Sequence, residues 1–80
     1  MEILKISNIA KTCMNENDYN KFMVNLNNQQ LNSARLFVED KIEEVSSSSK
    51  NYAQTMQYCQ LRKLDDIVTN EYINKIDVNA

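Results

Sequence analysis

The first third of the chain has apolar residues at every third or fourth position, the spacing that places side chains on one face of an α-helix. Within residues 2–14, this stripe consists of Ile3, Ile6, Ile9, Ala10 and Cys13. A polar break follows, in which Asn15 precedes two acidic residues. An asparagine oxygen at such a position accepts free backbone N–H groups, which is typical of a helix N-terminus. We therefore predict two short amphipathic helices, over residues 2–14 and 16–26.

The middle of the chain carries the most regular apolar stripe. Its members are Leu31, Ala34, Val38, Ile42 and Val45, at spacings of 3, 4, 4 and 3. The segment before it has two interpretations. Asn27 and Gln30 have the spacing of a capping box, which would begin a new helix at Asn27, or one long helix continues through Gln30. We predict the break at Asn27, and the continuous helix remains the alternative.

Four consecutive serines, Ser46–Ser49, separate this stripe from the last one. Serine favours helix ends because its hydroxyl competes for the hydrogen bonds of the backbone. We predict that Ser46–Ser49 is the turn of a long antiparallel helical hairpin, with the last helix running from about Lys50 to Asp77. The predicted fold class is all-α: two short N-terminal helices followed by this hairpin, in a single domain of residues 1–80.

The last predicted helix has a wider apolar surface than one neighbouring helix can cover. Its first flank consists of Tyr52, Met56, Leu64 and Ile67, and the adjoining flank consists of Tyr58, Leu61, Val68, Tyr72 and Ile76. A domain of this size buries only about 60% of the surface of its unfolded chain, so an uncovered flank favours self-association. We predict a homodimeric helical bundle that uses Tyr58, Leu61, Val68 and Tyr72 as contacts. The alternative is that the two N-terminal helices fold back and cover this flank within one chain.

Composition narrows the possible chemistry. The chain has no His, no Gly and no Pro. Without Gly, the phosphate-binding loops of the common nucleotide-binding folds cannot form. Without His, the usual neutral-pH base, the usual zinc ligand and the Ser–His–Asp triad are missing. Cys13 and Cys59 are far apart and lack metal-site spacing. We therefore expect a protein that is not an enzyme and has no metal or other cofactor.

The N-terminal segment and the short apolar runs predict a cytoplasmic protein. Residues 1–7 lack the basic and continuous apolar regions of a signal peptide, so we expect free thiols. No apolar run exceeds three residues, against the roughly twenty that a membrane-spanning helix needs, so no membrane contact is expected. Frequent Asn, Lys, Ile and Tyr, which have AT-rich codons, favour a phage, plasmid or low-GC bacterial origin.

The densest group of charged side chains is acidic. Glu39, Asp40, Glu43 and Glu44 lie within six residues of a chain whose net charge is −2. They fall near the predicted end of a helix, where carboxylates oppose the helix dipole. Either this group is a solvated helix face, or it is a ridge that binds a basic surface or imitates a phosphate backbone.

The basic residues predict no comparable surface for nucleic acid. They are scattered except for Arg62 and Lys63, which Asp65 and Asp66 can neutralise. We therefore expect a small non-catalytic protein–protein interaction module, a stoichiometric regulator or inhibitor of another macromolecule, with a protein partner at Glu39–Glu44. A dimeric DNA-binding transcriptional regulator and a structural component of larger oligomers are the alternatives.

Overall fold

Four α-helices make up nearly all of the described chain. The computed structural model describes residues 3–48, 50–51 and 55–79, and it describes side chains up to residue 76. The helices are α1 (Ile3–Cys13), α2 (Glu16–Asn27), α3 (Leu31–Ser48) and α4 (Met56–Asn79). Over these ranges no residue is in a β-strand, and the prediction of an all-α chain is confirmed.

The start of α2 follows from its local sequence. The Asn15 side-chain oxygen accepts a hydrogen bond of 2.8 Å from the backbone N–H of Asp18. Glu16 and Asp18 place negative charge in the first turn, where the helix dipole favours it. The hydroxyls of Ser7 and Tyr19, 2.6 Å apart, then join α1 to α2. The predicted cap and the two predicted short helices agree with the structure.

A Schellman motif ends α2 and separates it from α3. Gln29 has a φ of 58°, in the left-handed region. Its N–H donates to the carbonyl of Leu26, and the N–H of Gln30 donates to the carbonyl of Asn25. The predicted break is confirmed, but the predicted capping role of Asn27 is wrong. Asn27 is the last residue of α2, and α3 begins only at Leu31, because the Schellman hydrogen bonds decide where the chain turns.

The junction between α3 and α4 differs from the prediction. Ser46, Ser47 and Ser48 belong to the last turn of α3, so the predicted turn is wrong at these three positions; Ser49 lies outside the described residues. The hydroxyls of Ser46 and Ser48 donate to backbone carbonyls three residues earlier, which lets serine remain inside a helix. Lys50 lies in a turn and does not start the last helix.

The last helix begins at Met56, after a threonine cap. The backbone N–H of Tyr58 donates to the Thr55 hydroxyl at 3.2 Å. This bond satisfies one of the free N–H groups of the first turn of α4. The predicted start at about Lys50 is therefore corrected to Met56.

The helices form a closed arrangement in which α4 packs against α1 and α3, and α2 packs against the same two helices. The Gln57 side-chain amide donates to the carbonyl of Cys13 at 3.2 Å, which places the start of α4 beside the end of α1. The Arg35 guanidinium lies 5.4 Å from the centre of the Tyr72 ring. This contact places the first half of α3 beside the second half of α4.

All four helices contribute to one apolar core. The core residues are Ile6, Ile9, Ala10, Cys13, Phe22, Leu26, Leu31, Ala34, Val38, Leu61, Leu64 and Val68. Leu61 and Val68, which were predicted to mediate self-association, are both 0% exposed in the single chain. That assignment is corrected, because α1 packs on α4 and covers the flank internally. Of the two N-terminal helices in the alternative interpretation, α1 covers this flank, whereas α2 packs against α1 and α3.

Candidate functional site

The predicted acidic residues form one exposed strip on α3. Glu39, Asp40, Glu43 and Glu44, which we name the acidic ridge, are all exposed. They are related by steps of three and four residues, so they share one side of the helix. In the part of the chain that the structure describes, no side chain forms a hydrogen bond or ion pair with the carboxylates of Asp40 and Glu43. The centre of the ridge therefore offers two carboxylates to an external group.

The two ends of the acidic ridge are paired with basic side chains. Arg35 donates to Glu39 at 3.0 Å, and Lys41 donates to Glu44 at 3.3 Å. Lys41 also lies 2.9 Å from a carboxylate oxygen of Asp18 in α2. The hydrogen bond to Asp18 raises the pKa of Lys41, and the bond to Glu44 adds to this effect. Exposed pairs of this kind contribute little stability, so Glu39 and Glu44 remain available to a stronger partner.

Asp65 of α4 adds a further carboxylate beside the ridge. Asp65 is partly buried, and burial followed by the nearby negative charge of Glu39 raises its pKa. The Thr69 hydroxyl donates to Asp65 at 3.4 Å, which offsets part of this effect. Sequence reasoning paired Asp65 only with bases on its own helix. The interaction of Asp65 with Glu39 could not be predicted, because nothing in the sequence shows which residues of α3 and α4 lie opposite each other.

Three apolar side chains of α3 and α4 are about half exposed. Leu36, Ile73 and Ile76 are 45%, 47% and 48% exposed. Ile76 lines a shallow cavity of about 270 Å³ together with Tyr72, Lys75 and residues at the start of α3.

The four residues predicted for self-association do not form a common exposed surface. Leu61 and Val68 are in the core, as described above. Tyr72 is partly buried, packs against the core and lies under the Arg35 guanidinium. Tyr58, near the start of α4, is also partly buried. The exposed apolar surface of α4 lies instead at Ile73, Ile76 and, at the other end, Met56.

A separate side of the molecule is basic and partly apolar. A groove of about 590 Å³ between α1 and α4 is lined by Ile3, Leu4 and Ile9 together with Lys5 and Lys63. Lys5 and Lys63 are exposed, and α1 as a whole contains no acidic residue. The charges of the chain are thus distributed unevenly, with this groove basic and the acidic ridge on α3.

The two cysteines have opposite environments. Cys13 is buried, and burial raises the pKa of its thiol to about 11. Cys59 is exposed on α4, and neither cysteine is in a disulfide. Across the described residues, no group of three or more His, Cys, Asp or Glu side chains is placed to hold a metal ion.

Comparisons of the chain with protein-family models, with curated proteins and with solved structures give no match. The helices that the structure describes also include none whose length and apolar character would let it cross a membrane. A functional proposal therefore depends on the chemistry of the surface itself, and its most distinctive features are the acidic ridge and the carboxylate of Asp65 beside it.

Proposed function

We propose that this chain is a small non-catalytic protein–protein interaction module. In this proposal, the acidic ridge binds a basic surface of another protein, and the chain acts as a stoichiometric regulator or inhibitor of that protein. The observation that carries the proposal is the placement of the partly buried Asp65 carboxylate near Glu39 of the ridge, whose negative charge adds to burial in raising the pKa of Asp65.

Two like charges brought together in this way oppose the folding of the single chain. Asp65 also loses part of its hydration, which raises the cost of keeping it charged. A basic side chain from a partner would offset both effects through its opposite charge. Local features that reduce stability without a benefit to the fold often belong to a functional surface, and this supports a binding role.

The centre of the ridge supports the same proposal. Asp40 and Glu43 are exposed, and arginine or lysine residues of a partner could pair with them without breaking an ion pair in this chain. Complementary charges of this kind mainly increase the association rate and the specificity of a complex. Binding of the partner should therefore weaken as salt is added.

We propose a single chain as the binding unit. The predicted dimer depended on an uncovered flank of the last helix, and the burial of Leu61 and Val68 within one chain removes that reason. An isologous dimer through the acidic ridge would place like charges opposite each other. A single chain leaves the ridge open to a partner.

The test uses two variants that change the net charge from −2 to zero. Asp40→Asn/Glu43→Gln removes two carboxylates from the ridge, and Asn20→Lys/Asn27→Lys adds two exposed lysines on α2 as the matched control. The probe is a fluorescent peptide of lysine, arginine and serine, and its affinity is measured by anisotropy at low salt. We expect the ridge variant to lose about tenfold in affinity and the control to lose less.

An equal loss in both variants would show that only net charge matters, and it would contradict a site at the ridge. Thermal unfolding of both variants, followed by circular dichroism, checks that they remain folded. Because Asp40 and Glu43 have no partner among the described residues, the ridge variant should unfold at the wild-type temperature.

A further inference from the structure

The groove between α1 and α4, which we name the basic groove, combines apolar walls with ammonium groups. It is lined by Ile3, Leu4, Lys5, Asn8, Ile9 and Lys63. Leu4 is 74% exposed and Ile3 is 40% exposed, so two large apolar side chains at the start of α1 remain in contact with water. Ile9 belongs to the core. The groove therefore reaches from exposed apolar side chains to the edge of the core.

The two ammonium groups at the basic groove come from different helices. Lys5 of α1 and Lys63 of α4 are both exposed. In the described part of the chain, neither of them forms an ion pair or a hydrogen bond, and no acidic residue lines the groove. Two positive charges beside one cavity both attract an anion, and an anionic group there would accept charge-assisted hydrogen bonds.

We propose that the basic groove binds a small anionic amphiphile, an aliphatic carboxylate such as a fatty acid of medium chain length. The carboxylate pairs with Lys5 and Lys63, and the aliphatic chain covers Ile3 and Leu4. The volume of the groove is about 590 Å³, within the range of roughly 300–1,000 Å³ for small-molecule sites, which are mainly apolar with a few polar groups. This site is separate from the acidic ridge and does not depend on the proposed function.

The dimensions of the groove favour a small molecule over a protein helix or a bilayer. The stretch from Ile3 to Ile9 covers about 9 Å of the axis of α1, which is less than two helical turns, whereas a docked helix uses anchors over several turns. A helix on a bilayer surface presents a continuous apolar face. In α1 the side chains of Ile6, Ile9 and Ala10 are buried in the core and cannot form such a face.

The experiment titrates decanoate, below the concentration at which it forms micelles, into the isotopically labelled full chain and follows methyl and amide NMR signals. Two further probes separate the parts of the ligand. Acetate has the carboxylate without the chain, and decyltrimethylammonium has the chain with the opposite charge. We expect decanoate to shift the signals of Leu4 and Ile9 until they saturate, and to bind at least about tenfold more tightly than either of the other probes.

Paired charge variants locate the carboxylate. Lys5→Gln/Lys63→Gln removes both ammonium groups from the basic groove, and Lys21→Gln/Lys50→Gln removes two exposed ammonium groups from other parts of the molecule. The groove variant should lose at least about threefold in affinity for decanoate, whereas the control, which changes the net charge equally, should lose less. All four are surface positions, so both variants should remain folded, which circular dichroism checks.

A second pair of variants locates the aliphatic chain. Leu4→Ser shortens the more exposed apolar wall of the groove, and Val24→Ser shortens a side chain that is 58% exposed on α2. Leu4→Ser should weaken the binding of decanoate and leave the weak binding of acetate as it is, because acetate has no chain to bury. Val24→Ser should bind decanoate as the wild type does.

Several outcomes would overturn the proposal. Equal binding of decanoate and decyltrimethylammonium would show that the groove does not select an anion, and equal losses in the groove variants and their controls would show that decanoate binds elsewhere. Signal shifts spread over all four helices would indicate a detergent effect without a site. The ridge variant Asp40→Asn/Glu43→Gln should bind decanoate unchanged, so failure of this proposal is distinguishable from failure of the proposed function.

Other occupants of the basic groove give different results. Sedimentation of the chain with vesicles of phosphatidylglycerol and phosphatidylcholine, without binding of free decanoate, would assign Leu4 and its neighbours to a bilayer surface. Binding of a peptide of leucine and glutamate, again without binding of decanoate, would assign the groove to a protein. Shifts of the Leu4 signal with protein concentration alone would assign it to a second copy. Each of these three results would overturn the proposal.

Discussion

At the scale of single residues, the environment of the Asp65 side chain is the most informative. It is a carboxylate that the fold partly buries and places near Glu39. Sequence reasoning found the exposed residues of the acidic ridge, because a run of charged residues on a helix is visible in the sequence. It could not find that Asp65 lies near Glu39, since this depends on how α3 and α4 are aligned.

The pKa of Asp65 gives a prediction about stability and pH. Because the folded pKa is raised above its ordinary 3.8, the folded state binds the proton more tightly than the unfolded state. Stability is therefore lost as pH rises through the folded pKa. Asp65→Asn should increase the free energy of unfolding at pH 7, and the gain should shrink as the pH falls through the folded pKa of Asp65 and vanish below its ordinary value of 3.8. Urea unfolding at several pH values measures the difference.

Two further variants test the cause of this shift. Glu39→Gln should lower the pKa of Asp65, which carboxyl NMR titration can follow directly, because it removes the negative charge from α3. Asp66→Asn, at the exposed neighbouring position, should change stability less than Asp65→Asn does. An unchanged pKa in Glu39→Gln would show that the two carboxylates do not interact, and the main support for the proposed function would be lost.

At the scale of elements, the sequence predicted helices better than it predicted their ends. The apolar periodicity of α1 and α2 and the Asn15 cap are local features, so residues close in sequence determine them. The start of α4 was harder to predict, because several polar residues before it can all cap a helix. The residue that caps α4 is Thr55, rather than Ser48 or Ser49. Periodicity showed that Leu61 and Val68 face an apolar neighbour, but not that the neighbour is α1.

The end of α2 gives a second prediction. Gln29 adopts a left-handed conformation that is unfavourable for any residue with a Cβ atom and suits glycine. Gln29→Gly should therefore stabilise the chain by about 0.5–1 kcal/mol and raise the melting temperature by roughly 2–8 °C. Gln29→Ala is the control, because it removes the hydrogen bond from Lys75 but keeps the Cβ atom. A gain in the alanine variant equal to that in the glycine variant would contradict this explanation.

At the scale of the whole molecule, the third prediction concerns the oligomeric state. We expect sedimentation equilibrium over a hundredfold range of protein concentration to give the mass of one chain, 9.3 kDa. The physical reason is that α1 and α3 cover α4 from two sides, so the large apolar flank has already been buried. A stable dimer would contradict this expectation and would direct attention to the exposed apolar side chains of Leu36, Ile73 and Ile76.

The position of α4 in the chain also affects how the protein is made. Its neighbours α1 and α3 both precede it in the sequence, and Leu61, Leu64 and Val68 complete the core that they share. During translation, the first three helices emerge from the ribosome with their apolar faces still lacking this partner. We expect the cooperative fold to form only after most of α4 has been synthesised, and the surface that combines α3 with α4 exists only from that point on.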